Sequence, residues 1–139
     1  MASKKSWVYS PGKPRSSKPK ISEDLKRQVQ EKFDQLIDTE FKPKYIKAPP
    51  ENPRFNYLVD IFSQWHRSSF YICGKYHCPG PNAISPSFDS KFSRFEYAGG
   101  DRFNISYMRH TGKWWPIRES VPLDECLEEA KSNVFLLPQ

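Results

Sequence analysis

Three groups of residues in this 139-residue chain have types and spacings that could carry chemistry. The first mixes cations with aromatic and polar groups: Lys75, Arg94, Asn104, Arg109, His110, Lys113, Trp114 and Arg118. Rings stack on bases or apolar ligands while Arg and Lys contact phosphates, so such a set suits an anionic polymer. The second is Cys73, His77 and Cys78, with His66, His110 or Cys126 available as a fourth zinc ligand. Its spacing fails the usual pattern, because neither C-x2-C nor a second paired knuckle is present. Cys73 and Cys126 read more simply as small apolar core residues, and no metal is expected. The third is His110, whose ordinary pKa near neutrality suits a general base if Glu96 or Asp101 orients it. No Gly-rich phosphate loop, G-x-S-x-G or H-E-x-x-H motif occurs, so no sequence motif points to catalysis and no cofactor is implied.

The elements that must position these residues follow from periodicity and punctuation. Ser22 offers an N-cap with Glu23 and Asp24 in the first turn, and Leu25, Val29, Phe33, Leu36 and Ile37 recur at helical spacing. That helix is expected to end before Pro43, leaving Lys42 to Arg54, with four prolines, as an extended connector. From Phe55 the period changes to two, the switch expected on entering a sheet. Residues 55–62 and 70–76 suggest a hairpin; 91–98 and 103–109 flank the Gly99-Gly100-Asp101 turn; Thr111-Gly112 leads into a fifth strand, 113–118. Pro116 removes a ladder donor, so that strand is expected at an edge or to stop there. Pro122, Asp124 and Glu125 open a second helix with Leu123, Cys126, Leu127 and Ala130 as its buried stripe. The expected fold is α+β: a curved antiparallel sheet of about five strands in two hairpins, with an N-terminal and a C-terminal helix on one face.

Alternation along the strands assigns Phe95, Tyr97, Phe103, Ile105, Tyr107, Trp115 and Ile117 to the helix side. Arg94, Glu96, Asn104, Ser106, Met108, His110, Trp114 and Arg118 then share the other side, with Asp60, Gln64, Tyr71 and Lys75 as additions. The loop from Pro79 to Ser90 carries three prolines and is expected to pack over one end of the sheet, walling a pocket near Tyr76, His77 and His110.

Charge sharpens the choice of partner. The formal net charge is +6, and residues 1–20 alone hold Lys4, Lys5, Lys13, Arg15, Lys18 and Lys20 without an acid. This Lys-, Ser- and Pro-rich stretch, with Trp7 as part of its one aromatic spot, reads as a disordered basic arm before a single domain, 21–139. Within that domain residues 41–119 hold 12 bases and 6 acids, while 21–40 and 120–139 are each net −3. Acidic helices therefore back a basic sheet, and a polyanion is the natural partner of the sheet and the arm. No stretch approaches the roughly 20 apolar residues of a membrane span, no export signal follows the basic start, and three cysteines fit free thiols. A cytoplasmic protein away from membranes is expected.

The stretch FNISYMRHTGKWWPI, followed by VPLDECLEEAKSNVF, resembles a family of small bacterial proteins classed only as a domain of unknown function. The matching positions are Tyr107, Met108, Arg109, Lys113, Trp114, Leu123, Leu127 and Phe135, within about residues 91–136. The resemblance implies a strand-turn-strand-helix arrangement and carries no mechanism. The leading expectation is a non-enzymatic binding module for an anionic partner such as nucleic acid. A protein-interaction subunit docking through its aromatic face, and a small enzyme or ligand pocket around His110, are the alternatives.

Overall fold

The computed structural model describes residues 20–49, 51, 55–80 and 85–136. Helix α1, Glu23–Leu36, begins where expected: the Ser22 side chain accepts the Leu25 N–H at 3.1 Å and two acids occupy the positive end. Val29, Phe33 and Leu36 form its buried stripe. The helix does not stop before Pro43. A π-helical turn, Ile37–Phe41, follows, with Lys42 N–H donating to Ile37 O, and α2, Lys42–Tyr45, carries Pro43 in its opening turn. A proline has no N–H and its ring crowds the preceding turn, but both costs vanish at a helix start. The widened turn makes Pro43 such a start.

Among the described residues five antiparallel strands form one sheet in chain order. They are β1, Tyr57–His66; β2, Ser69–His77; β3, Ser87–Gly99; β4, Arg102–Met108; and β5, Trp114–Pro122. Arg67, at φ +57, and Ser68 make the first hairpin turn, and Gly100 and Asp101 make the turn between β3 and β4, with Gly99 and Gly100 at φ 107 and 60. β3 starts at Ser87, so Ser87 to Ser90 belong to the sheet and not to the proline-rich loop. Residues 81–84, including Ile84, lie outside the described residues. Pro116 sits in β5, an edge strand, as its missing donor requires. Pro122 caps helix α3, Leu123–Ser132, and a 3-10 turn, Val134–Leu136, ends the described chain.

Both longer helices pack on one face of the sheet. Phe33 meets Phe70 and Phe95 with ring centroids 5.0 and 4.9 Å apart, and Ile61, Ile72, Phe103, Ile105, Val121, Leu123, Cys126 and Leu136 complete a core with little or no exposure. Fully burying such a side chain stabilises a fold by roughly 1.5–3 kcal/mol, so this layer holds the helices in place. A polar tie adds direction: Ser63 Oγ donates to Asp34 at 2.7 Å, and Gln30 donates to both Asp34 and Ser63. Among the described residues no helix is long and apolar enough to cross a membrane.

Register irregularities decide which residues share a face. β3 slips between the pairs Ile72–Ser93 and Cys73–Lys91, so Phe92 is an extra residue. Phe92 packs toward Gly74, where an added Cβ would overlap its ring and lie 2.8 Å from Leu58 Cδ1. β5 slips twice against β4, between Phe103 and Ile105 and again between Ile105 and Ser106. Ser120 stands at φ +53 in the first slip, its N–H held by Asn104 Oδ1 at 2.9 Å and its carbonyl by Arg102 at 2.8 Å. Each bulge bends its strand.

Candidate functional site

On the helix-free face, Tyr71 and Trp114 bring their ring centroids within 5.8 Å although three strand intervals separate β2 from β5. Three intervals amount to about 14 Å in a flat sheet. The sheet therefore curls toward this face, and Trp114 reaches across it. Lys91 Nζ lies 5.0 Å from the Tyr71 ring centroid and the Arg94 guanidinium 4.9 Å from that of Trp114. Underneath, Cys73 is 1% and Ser106 6% exposed, with no helix over them. Burial pushes the Cys73 thiol up to about 11, against the opposing pull of Lys91. Arg94 Nε is buried without a hydrogen-bond partner, and neither Lys91 nor Arg94 is ion-paired among the described residues. Two cations seated on rings thus occupy this face, which they share with the carboxylates of Asp89, the register partner of Lys75, and Glu96.

The predicted set divides around this cluster. Arg94 and Trp114 are at its centre, and Lys75 is exposed two residues along β2 from Cys73 on the same face. Asn104 lies on this face, its side-chain oxygen occupied by the Ser120 bulge. Arg118 does not belong here. The second slip pairs it with Ile105, and it reaches α3, 2.7 Å from Glu125 and 3.4 Å from Glu129. Those carboxylates hold its guanidinium more firmly protonated than usual. Arg109 also points elsewhere: its guanidinium lies 4.7 Å from the ring centroid of Trp115. His110 and Lys113 are exposed in the turn closed by Arg109 N–H to Lys113 O and Gly112 N–H to Arg109 O. Lys20 is exposed; Lys4, Lys5, Trp7, Lys13, Arg15 and Lys18 lie outside the described residues.

Glu96 does not orient His110. It pairs with Asn104, six residues or about 20 Å of strand from His110, and lines a separate cavity of about 340 Å³ with His66, Arg67 and Tyr71. The cavity beside His110, about 250 Å³, is lined by Tyr107, Met108, Arg109 and Phe135 and includes neither Tyr76 nor His77. Asp60, expected on the helix-free face, turns to Lys42 of α2 at 3.4 Å. Among the described residues no three His, Cys, Asp or Glu side chains converge as metal ligands. His77 instead packs on Tyr57, with ring centroids 5.3 Å apart.

Lys91 was hidden from sequence alternation. Counting back from Arg94 by twos reaches Phe92, and only the bulge exchanges Phe92 for Lys91 on this face. The available signal was Gly74, a missing side chain in an otherwise filled strand.

The model of a protein family described as Domain of unknown function (DUF3024) matches residues 21–135. The chain belongs to this family. The match extends well beyond the C-terminal stretch in which a resemblance is visible by eye and takes in α1 and the first hairpin, so the DUF3024 domain is the whole helix-sheet-helix unit. No curated protein and no solved structure matches the chain.

Proposed function

We propose that this DUF3024 domain is a non-enzymatic binding module for an anionic polymer such as nucleic acid, which it takes on the helix-free face. One observation carries the reading: Lys91 and Arg94 lie on the rings of Tyr71 and Trp114, and neither cation is ion-paired among the described residues. A phosphate can meet exposed Lys91 and the partly exposed Arg94 side chain, and partly exposed Trp114 offers a ring to a base. Lys75 is in register with Asp60 and Asp89, so the positive charge of this face centres on Lys91 and Arg94, and the basic arm acts as an electrostatic tether. Three free cysteines fit a cytoplasmic setting.

Fluorescence anisotropy with labelled single- and double-stranded DNA and RNA at low salt tests the proposal. Binding is expected to weaken steeply with salt, and deletion of residues 1–20 to lower the slope by up to about six counterions' worth. Trp114→Phe tests stacking with the ring retained, and Arg94→Gln with Lys91→Gln is expected to weaken binding tenfold or more. Absence of binding by every oligonucleotide at low salt sinks the proposal.

A further inference from the structure

We infer that a second binding surface lies on the other side of β5 and takes an acidic peptide segment of a partner protein through an apolar anchor. Trp115 is 51% and Phe135 55% exposed, and neither belongs to the helix-free face. Tyr107 joins them: it pairs with Trp115 across β4 and β5, and its ring centroid is 5.1 Å from that of Phe135. Large aromatic groups left contiguous at a surface mark an interaction site more often than scattered apolar residues do.

The cavity of about 250 Å³ between Tyr107, Met108, Arg109, His110 and Phe135 gives the surface depth. That volume accepts one large apolar side chain and is too small for most ligands that bind in enclosed pockets. Its rim determines the charge of the occupant. Arg109 rests on Trp115, and His110 and Lys113 are exposed in the adjoining turn. Among the described residues no carboxylate lines the cavity and neither Arg109 nor Lys113 has an ion pair. Glu129 of α3 is held by Arg118 and by Asn133, whose own side chain fixes the Phe135 N–H. A hollow that combines Tyr107, Met108 and Phe135 with the basic Arg109 and the neighbouring Lys113 complements an apolar residue flanked by Asp or Glu. The chain's own arm, with six bases and no acid, is the wrong sign for it.

The full-length chain is titrated against a fluorescein-labelled peptide, Glu-Asp-Glu-Leu-Phe-Asp-Glu, with a version carrying Ala-Ala in place of Leu-Phe as the control. Saturable binding of the first, at least tenfold tighter than the control, is expected. Phe135→Ala and Arg109→Gln should each weaken it about tenfold, as centrally placed aromatic and Arg anchors do, while Trp114→Phe leaves it unchanged. All three positions are at least partly exposed, and near-ultraviolet circular dichroism confirms that each variant is folded. Equal affinity for both peptides, loss through Trp114→Phe, insensitivity to Phe135→Ala, no binding, or displacement of the peptide by an oligonucleotide would each overturn the inference. Because the two tests read different ligands and different side chains, failure here leaves the oligonucleotide result standing, and the reverse.

Discussion

Trp114 and Trp115 are neighbours in sequence, and each has an arginine guanidinium on its ring, at 4.9 and 4.7 Å. Their surroundings differ in every other respect. Trp114 leans across the curled sheet onto Tyr71 and covers a floor in which Cys73 and Ser106 are almost inaccessible. Trp115 faces the helix side, but α3 does not reach it and half of its surface is in water. The same pair of side chains thus closes a second small core on one face and stands as a free surface on the other. A cation over a ring therefore says little about role by itself; what lies under the ring separates packing from availability.

The sharpest way to break this contrast is to remove each ring. Trp114→Ala is expected to cost about 3 kcal/mol, because it opens a cavity over Tyr71 and Cys73. Trp115→Ala should fall within about 0.5 kcal/mol of the parent. Urea unfolding of both variants gives the comparison, and equal losses would abolish it. Thiol labelling gives a local readout: the half-buried Cys78 should react first in the parent, with Cys73 joining it only in Trp114→Ala.

Alkaline titration probes the floor beneath Trp114 without a mutation there. Burial raises the Cys73 thiol to about 11 and Cys126 to about 12, both above the ordinary value of 9.0. In each case the unfolded chain ionises first. The contribution to stability is therefore complete below pH 9 and lost as pH rises through the folded values. Urea midpoints between pH 8 and 11 should fall, and Cys73→Ala should flatten part of that fall. A midpoint independent of pH up to 11 would mean that the thiols are not shielded.

Smaller effects are expected at the arginines. Arg94→Gln removes a partly desolvated cation from Trp114 and should cost about 1–2 kcal/mol, whereas Arg109→Gln, at an exposed ring, should cost about 0.5 kcal/mol. Matching urea midpoints for the two variants would remove the distinction between the faces.

Much of this arrangement was legible in the sequence. Ser22 with its acids, the 3.6-residue repeat to Ile37, the glycine turn at 99–100 and strict alternation through Phe95, Phe103 and Ile105 lead directly to α1, the β3–β4 hairpin and the core. What alternation misplaced lies beyond bulges. Arg118 was assigned to the helix-free face because a period of two allows no extra residue, and Ile117 breaks that count. Phe92 and Lys91 exchange faces for the same reason. At Pro43 the helix continues because a π turn resets its start, a backbone accommodation that residue preferences do not register. The reach of Trp114 across three strand intervals was invisible for another reason: it depends on the curl of the whole sheet.

The bulges in β5 also bear on how the molecule meets copies of itself. An outer strand offers its unpaired backbone groups as a template for another chain, and a long flat strand there invites polymerisation. β5 is neither flat nor continuous: Pro116 lacks a donor, Ile117 is an extra residue, and Ser120 turns the backbone into a left-handed conformation fastened by Asn104 and Arg102. An incoming strand would find no run of evenly spaced partners along it. The sheet ends at that margin by construction, which sets partly buried Trp114 and half-exposed Trp115 at a border that resists self-assembly.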